Sequence, residues 1–319
     1  MNGTRRAFVG ALATAVPAVG RASSKTGLAA GARFYVAALT PLDRSGRLDQ
    51  TLARDLLAFL RERGADGVVV LGTTGEFSSF SLRERKQILE AYLPAKGSLE
   101  VICQAGTPNL PETLELLEHA AGTGAHAALV VPPFYYKNPA IEGLVRYYAQ
   151  VLDAARIPVL LYHIPGLSGV PVSSELLHRL EKHPRLYGVK DSSGNLEGTA
   201  AFIREFPKLK IFTGSSGHIE TALKLGGAGA ITGDGNVLTR ETAAVFRQFR
   251  QGAEVSAAQA KLNEASKLFR GLLGIPGMKS ALASMGLRES YCRPPLVEMS
   301  DERKAELKAK LAMLNRDPA

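Results

Sequence analysis

The sequence contains no tryptophan, and aromatic residues make up only 7% of its 319 residues. A surface built to stack nucleic-acid bases or sugar rings depends on aromatic side chains, so this composition argues against one. Hydrophobic residues make up 45% and charged residues 22%, which is typical of a globular protein with a large core. The length fits one domain of barrel size or two smaller domains.

Cysteine is equally scarce, with Cys103 in an apolar run and Cys292 near the end of the chain. No CxxC motif occurs, and the six histidines are scattered without an HxH or HExxH pattern. These absences argue against a disulfide framework and a structural zinc site. They also remove the usual ligands of a metal-dependent aldolase, so we expect no metal site.

Acidic residues are missing from the first 42 positions, and this contributes to the formal net charge of +9. Three arginines lie within residues 1–22, and subtracting them from +9 leaves +6 for the remainder. That charge is spread over mixed-sign stretches such as residues 301–310. Such stretches are solvated helix faces more often than phosphate-binding stripes, so we expect no nucleic-acid partner.

Residues 1–22 have the order of an export signal. Arg5 and Arg6 precede a short apolar stretch that ends at Val19, and small residues follow. The stretch is too short to span a bilayer, so we expect no stable membrane insertion. The pattern resembles a twin-arginine signal peptide and predicts a periplasmic address. A wrongly assigned start codon or a disordered tail, with a cytoplasmic protein, is the alternative.

Short β-branched runs alternate with amphipathic stretches from Arg33 onward. Helix boundaries are readable between them: Asp49 and Gly64 bracket residues 50–63, while Ser81–Glu84 and Asn109–Glu112 have the pattern of capping boxes. Eight strands, each followed by a helix, predict a (β/α)8 barrel. A doubly wound open sheet is the alternative, but no GxGxxG follows the first strand. The predicted strands are residues 34–40, 67–72, 100–105, 127–132, 157–163, 186–190, 209–214 and 228–232.

Further helical stretches follow the eighth unit, at about residues 254–271, 277–286 and 301–315. They exceed what the barrel needs, so we predict a C-terminal helical annex. The predicted organisation is therefore a signal peptide at residues 1–22, an α/β barrel at 33–251 and C-terminal helices at 252–319.

Lys190 ends an apolar strand, where a charged ammonium is costly to bury. Burial favours the neutral amine, which is the nucleophile that condenses with a ketone to an imine. A lysine at a barrel rim can equally extend its amine to solvent. Tyr162 ends the neighbouring strand and could move protons during imine chemistry, with Thr74 and Tyr135 as relay hydroxyls. A tyrosine at this position can also serve only to bond a backbone carbonyl.

Other strand ends carry groups suited to an anion. The segment Gly72-Thr73-Thr74-Gly75 offers successive amides and hydroxyls in a turn that can wrap a carboxylate, although such turns often only cap strands. Ser192 follows the sixth strand, and we include Gly72 and Ser192 among the expected substrate contacts. The glycine-rich segment 226–236 could form a phosphate cup, but close backbone packing explains it equally well.

Four segments together resemble the dihydrodipicolinate synthase and N-acetylneuraminate lyase family. They are Gly72–Glu76, Tyr162-x-Ile164-Pro165, Gly188–Gly194 and residues 225–232, in the family's order and spacing. The resemblance covers about residues 33–315. It implies a class I mechanism in which Lys190 forms a Schiff base with pyruvate, so no separate cofactor is expected.

The resemblance also implies roles for individual side chains. Tyr162 would transfer protons, Thr73 and Thr74 would bind the pyruvate carboxylate, and the backbone of Ile231 would face pyruvate. Thr74 and Tyr135 would complete the proton relay, with Tyr135 supplied across a subunit interface. Family members are commonly homotetramers, so the expected partners are pyruvate, an aldehyde and further copies of the chain.

Departures from the family pattern bear on the aldehyde. Where the synthase has an arginine that holds the carboxylate of aspartate semialdehyde, this chain has Leu167, which cannot form a bidentate pair. The acidic pair that the sialic acid lyase uses on its polyol is replaced by Ser216-Gly217, and His163 stands beside Tyr162 in place of asparagine. These differences leave the wider group of 2-oxo-3-deoxy acid aldolases, hydroxy-oxo-acid aldolases and hydratase-aldolases, and of these we expect the 2-oxo-3-deoxy acid type. The synthase activity and a non-catalytic 2-oxo acid-binding barrel are the alternatives.

Overall fold

The computed structural model of the protein describes residue 28 and residues 31–314. The predicted signal peptide, residues 1–22, lies outside the described residues. Eight parallel strands form a closed barrel in the order β1 to β8, which confirms the predicted fold class. The strands are β1 Arg33–Ala37, β2 Gly67–Val70, β3 Glu100–Gln104, β4 Ala127–Val130, β5 Val159–His163, β6 Leu186–Asp191, β7 Lys210–Thr213 and β8 Gly229–Thr232.

Helices surround the barrel, and three more follow it. In chain order the helices are α1 Gln50–Glu62, α2 Leu82–Ala95, α3 Leu110–Thr123, α4 Ile141–Ala154, α5 Pro165–Ser168, α6 Ser174–Leu180, α7 Leu196–Glu205, α8 Ile219–Lys224, α9 Thr239–Arg250, α10 Ser256–Leu268, α11 Ile275–Ser284 and α12 Asp301–Leu314. The last three form the helical annex, whose α10 packs on α9 and whose α11 packs on α12. No helix in residues 31–314 has both the length and the apolar character to cross a membrane.

Strand periodicity divides the apolar side chains into two cores. On β5, Val159 and Leu161 face the helices, while Leu160 and Tyr162 face the barrel interior. This alternation follows from the two-residue repeat of a strand, and burial on both faces explains the nearly continuous apolar runs in the sequence. The inner core is small and closed, so a polar side chain placed there at the carboxyl end of a strand is held in a defined position.

Helix caps follow the predicted chemistry at two of three positions. The Asp49 carboxylate accepts a hydrogen bond from the Leu52 amide, and Ser81 with Glu84 forms a reciprocal capping box. Asn109 caps α3, but Glu112 does not return the bond, so the predicted capping box is wrong there. The Asn109 amide instead donates to the Thr107 hydroxyl at 3.0 Å.

Some strands end earlier than predicted. Strand β2 stops at Val70 because Leu71 takes a left-handed conformation, with φ of 60°. This turn directs residues 72–76 over the mouth of the barrel instead of continuing the strand. The side chains that follow β2 therefore face the ends of other strands, which positions them for a site.

Candidate active site

Lys190 lies near the carboxyl end of β6 and is 3% exposed. Its backbone pairs in register with Tyr162 on β5, so both side chains point into the barrel mouth. The Lys190 Nζ lies 4.2 Å from the centre of the Tyr162 ring. The amine therefore points into the protein interior, and the solvent-directed alternative for this lysine does not hold in the structure.

Tyr162 is 2% exposed, and its hydroxyl lies 3.3 Å from the Thr73 Oγ1. Burial acts to raise the pKa of Tyr162, but the Lys190 charge opposes it. Hydrogen bonds with Thr73, Lys190 and Ser192 act in the same direction as that charge, and the net pKa lies below the usual value for tyrosine. A phenol with a lowered pKa gives up its proton more readily, as a proton-transferring group requires.

The loop that follows β2 is bracketed by two strained residues. Leu71 and Glu76 both have left-handed φ angles, 60° and 56°, which non-glycine residues seldom adopt. Within the loop, the Glu76 amide donates to the Thr73 carbonyl at 3.0 Å. The Thr40 hydroxyl donates to the Gly75 carbonyl at 2.8 Å. The loop thus has one tightly bonded conformation.

The two threonines of this loop face different partners. Thr73 contacts Tyr162, whereas the Thr74 Oγ1 lies next to Gly233, where an added Cβ would come within 2.9 Å of it. Of these two threonines, Thr73 is the one whose hydroxyl contacts Tyr162, which also bonds Ser192. The relay role of Thr74 stays a prediction.

Tyr135 follows β4 and is 73% exposed. Its ring packs edge-to-face on that of Tyr136, which is 77% exposed, with 5.3 Å between ring centres. In the described part of the chain, Tyr135 makes no hydrogen bond to Tyr162 or Thr74. One copy of the chain therefore does not bring Tyr135 into the site, and its predicted role depends on a second copy.

Ile231 lies on β8 and Ser192 directly follows β6, and their contacts with substrate stay predictions. Ile231 is buried on the inner face of β8. The Ser192 amide donates to the His163 carbonyl at 2.7 Å, which ties the ends of β5 and β6 together. Gly214 follows β7, and a Cβ there would come within 2.1 Å of the Ser192 hydroxyl oxygen. Glycine is therefore required at 214, a constraint that the sequence alone did not reveal.

Asp191 and His163 hold the end of β6. The buried Asp191 carboxylate accepts from the Ser193 amide at 2.9 Å and from the Thr199 hydroxyl at 2.6 Å. The His163 Nδ1 accepts from the Val172 amide, so its other nitrogen, 4.0 Å from Asp191, carries the proton. Burial lowers the pKa of His163 despite the opposing charge of Asp191. His163 is therefore neutral near pH 7, and its ring connects the Val172 amide to the end of β6.

A buried ion pair joins the β2 loop to the annex, and sequence reasoning missed it. The Lys279 Nζ on α11 lies 2.6 Å from the Glu76 Oε1, and both side chains are 1% exposed. Lys279 also donates to the Tyr291 carbonyl, while the other Glu76 oxygen accepts from the Arg293 amide at 3.0 Å. The annex thus holds the loop that carries Thr73.

A cavity of about 350 Å³ opens beside Ser192 at the ends of β6, β7 and β8. Asp234 stands in its wall and accepts hydrogen bonds from Ser216 at 2.5 Å and from Ser266 at 3.2 Å. Backbone groups of Gly214 and Gly233 complete much of the lining. The cavity is rich in hydroxyl groups, and the part of it that belongs to the described residues holds no lysine or arginine.

Lys137 and Leu167 lie on the other side of the mouth. Lys137 donates to the carbonyls of Phe134 and Ser168, at 2.5 and 2.8 Å, so it is occupied in joining the β4 loop to α5. Leu167 on α5 is 66% exposed. No group of three histidine, cysteine, aspartate or glutamate side chains in the described residues could hold a metal ion.

A buried lysine beside a tyrosine with a lowered pKa, at the carboxyl end of a (β/α)8 barrel, defines a carbon–carbon lyase of the class I aldolase type. The chain matches the Dihydrodipicolinate synthetase family over residues 31–314 and belongs to this family. The resemblance found in its motifs is thereby confirmed.

Individual relatives agree with this assignment. The chain is 39% identical to a protein of Chloroflexus aurantiacus described as an uncharacterized DapA-like lyase, over 86% of this chain and 93% of the relative. It is 35% identical to 4-hydroxy-tetrahydrodipicolinate synthase 2 of Streptomyces coelicolor, over 88% and 94% of the two chains.

Among solved structures, the chain is similar to YagE of E. coli, which belongs to the dihydrodipicolinic acid synthase family and was crystallised in complex with pyruvate. The TM-score is 0.83 at 27% identity, covering 89% of this chain and 98% of YagE. CdNal of Clostridium difficile, in complex with mannosamine, gives a TM-score of 0.83 at 28% identity, covering 89% and 99%.

Proposed function

We propose that the protein is a class I aldolase that joins pyruvate to an aldehyde, or cleaves the product, through a Schiff base on Lys190. The observation that carries the proposal is the burial of the Lys190 amine against Tyr162, whose hydroxyl contacts Thr73. YagE, which has the same fold, binds pyruvate, and this supports pyruvate as the oxo acid.

The chemistry begins when the Lys190 amine attacks the ketone carbon of pyruvate and water leaves to give an imine. Loss of a proton from the methyl carbon converts the imine to an enamine. The enamine carbon then attacks the aldehyde carbon, and the aldehyde oxygen gains a proton. Water hydrolyses the new imine, which releases the product and restores the amine.

Tyr162 is placed to carry protons in both directions, since it lies beside the amine and its phenol has a lowered pKa. Thr73, Thr74 and the amide of Gly72 hold the pyruvate carboxylate in the strained β2 loop. Ile231 and Ser192 border the bound oxo acid from the opposite strands. Completion of the relay by Tyr135 requires a second copy of the chain.

The aldehyde that fits best is an uncharged, hydroxylated one, so the activity is of the 2-oxo-3-deoxy acid aldolase type. Leu167 offers no cation at the position where the synthase motif has its arginine, and Lys137 uses two of its three N–H donors on carbonyls. The cavity beside Ser192 is instead lined by hydroxyl groups around Asp234. Synthase activity on aspartate semialdehyde is the second candidate, favoured by relatives of that name such as the Streptomyces coelicolor protein.

Incubation with pyruvate and borohydride tests the mechanism, because borohydride reduces an imine but leaves a non-covalent complex unchanged. We expect one reduced adduct per chain, and peptide mapping should locate it on Lys190. Lys190→Ala should lose the adduct, while Lys210→Ala, at an exposed position of the barrel, should keep it. An adduct that survives Lys190→Ala would disprove the mechanism.

A comparison of aldehydes tests the substrate class. A charge-assisted bidentate pair contributes about 2–3 kcal/mol, so its loss corresponds to about 30- to 150-fold in selectivity. We expect kcat/KM for aspartate semialdehyde to lie below that for hydroxylated aldehydes by a factor of this order. A higher kcat/KM for aspartate semialdehyde than for every neutral aldehyde would favour the synthase activity.

We further propose a homotetramer that reaches the periplasm. The exposed Tyr135–Tyr136 pair supports a subunit contact, because two adjacent aromatic rings on the surface are suited to burial against another chain. The periplasmic address rests on the sequence of residues 1–22 alone.

A further inference from the structure

Gln104 is a buried polar group with no role in the mechanism above. It ends β3, is 0% exposed, and neither polar atom of its side-chain amide has a hydrogen-bond partner within the described part of the chain. Leaving a buried polar group unpaired costs about 1–3 kcal/mol. Such a side chain is uncommon in folded proteins, and its position in the barrel indicates which group it can bind.

The alternation of β3 points Gln104 into the barrel. Ile102 belongs to the interior core, while Cys103 packs against the surrounding helices. Because side chains alternate along a strand, Gln104 faces inward like Ile102. The carbonyl of Gln104 accepts from the buried Arg85 guanidinium at 2.8 Å, which fixes this strand end from outside the barrel. The amide is therefore held at the interior on a rigid strand.

The strand register gives the height of Gln104 in the barrel. Gln104 pairs with Leu129, which pairs with Leu160. Because the strands tilt, residues at the same height along the barrel axis lie about one residue further along each successive strand. From β3 to β5 this adds two residues to Leu160, so Gln104 lies level with Tyr162. Lys190 is in the adjacent layer, which the even-numbered strands supply.

Two of the four members of the layer that contains Gln104 and Tyr162 have little or no side chain. These two, from β1 and the end of β7, are Ala37 and Gly214. This side of the layer lies across the barrel axis from Gln104 and Tyr162, next to the strand that bears Lys190, and the Ser192 hydroxyl reaches the space beside Gly214. In this layer, the long side chains that face a molecule attached to the Lys190 amine are therefore those of Tyr162 and Gln104.

The amide also restricts the group that can satisfy it. It has a donor, Nε2, and an acceptor, Oε1, and both are unpaired. A carboxylate only accepts, and the β2 loop already offers it donors. A hydroxyl group both donates and accepts, so a hydroxylated substrate can satisfy both atoms.

We propose that Gln104 is a substrate-binding residue that selects for a hydroxyl group on the aldehyde-derived part of the substrate. This inference rests on the proposed function and deepens it, because it assigns part of the aldehyde selectivity to the barrel interior. It is separate from the Asp234 cavity, which lies across the mouth at the ends of β6 to β8.

The test compares two aldehydes that differ by one hydroxyl, glycolaldehyde and acetaldehyde, in condensation with pyruvate. We expect Gln104→Met to reduce kcat/KM for glycolaldehyde by about 10- to 100-fold, the range for one or two lost hydrogen bonds, and to change that for acetaldehyde less than threefold. Methionine is close in shape but has no amide, so Tm should stay the same or rise. Gln248→Met is the matched control, since the Gln248 carbonyl is also buried and unpaired but belongs to α9.

Borohydride trapping with pyruvate separates the two proposals. If the wild type formed no reduced adduct with pyruvate, the proposed aldolase mechanism would be wrong. We expect Gln104→Met to form the adduct as the wild type does. Equal losses for both aldehydes, or no preference for glycolaldehyde in the wild type, would overturn the role of Gln104. So would a lowered Tm with unchanged selectivity, which would show that an internal water satisfies the amide as part of the fold.

Discussion

At the scale of single residues, the site depends on which hydroxyl reaches which partner. Tyr162 lies between the Lys190 amine and the Thr73 hydroxyl, and its lowered pKa reflects both neighbours. Neighbouring positions such as Thr73 and Thr74 have the same chemistry but face different strands. Substitutions at these positions can therefore separate roles that the sequence motif presents together.

Tyr162→Phe removes the phenol while keeping the ring against Lys190. We expect turnover to fall by about a hundredfold or more, because a positioned acid–base group contributes on that scale. The circular dichroism spectrum should remain that of the wild type. Tyr147→Phe is the control: Tyr147 is also buried and hydrogen-bonded, to Thr113, but it lies on α4 in the outer core, and loss of its hydroxyl should leave turnover unchanged. Turnover at the wild-type rate in Tyr162→Phe would reduce this tyrosine to a packing role.

Thr73→Val and Thr74→Val form a matched pair. The Thr73 hydrogen bond lowers the pKa of Tyr162, so its removal should raise that pKa and move the tyrosine titration to higher pH. Thr74→Val should leave the titration where it is, since Thr74 faces Gly233. The ultraviolet absorbance of tyrosinate, followed against pH, measures this titration in both variants. A shift in Thr74→Val alone would instead place Thr74 in the relay and leave Thr73 out.

At the scale of elements, the β2 loop is held by parts of the chain that are distant in sequence. Glu76 bonds Lys279 on α11 and the amide of Arg293, beyond that helix. The loop conformation is strained at Leu71 and Glu76, and such strain persists only when surrounding contacts impose it. The annex therefore contributes to the geometry of the site without contacting the reacting atoms.

Removal of one partner of this ion pair should be costly. Lys279→Met leaves the Glu76 charge buried without its partner, and we expect the free energy of unfolding to fall by about 3–5 kcal/mol. The double variant Glu76→Gln with Lys279→Met should recover much of this stability, because no buried charge remains. Urea denaturation measures both changes. Lys224→Met, at a half-exposed ion pair on α8, should change stability by less than about 1 kcal/mol. If Lys279→Met lowered the free energy of unfolding as little as Lys224→Met, water would have to reach the Glu76 carboxylate.

At the scale of the whole molecule, residues 1–22 carry a large share of the excess positive charge for their length. The three arginines of residues 1–22 account for a third of the net charge of +9. Charge in this position suits an export signal better than it suits a binding face of the folded protein.

Export can be measured with a reporter fused after residue 30. We expect the fusion to cross the inner membrane while Arg5 and Arg6 are intact, and to stay in the cytoplasm when both are replaced by lysine. The conservative change keeps the charge, so a difference would identify the arginine pair itself. Cytoplasmic retention of the unaltered fusion would show that these residues are not an export signal.

The repeating pattern of the sequence determined the architecture. Eight β-branched runs separated by amphipathic stretches specify a parallel sheet covered by helices, because strands with two buried faces need helices to cover them, and the count of eight favours a barrel over an open sheet. The sequence placed Lys190 and Tyr162 at the ends of neighbouring strands, and the structure shows that their side chains face one another. These features are local or periodic, and local patterns can be read directly.

Tertiary structure alone decided the partners of the individual groups. The pairing of Glu76 with Lys279 spans 203 residues, and no local pattern links the two. The level shared by Gln104 and Tyr162 depends on the tilt of the strands around the closed barrel. Whether Thr73 or Thr74 meets Tyr162 depends on the left-handed turn at Leu71, since one changed φ angle reverses the direction of a side chain. Sequence periodicity sets the face on which a residue lies, but only closure of the barrel sets which other residues it meets there.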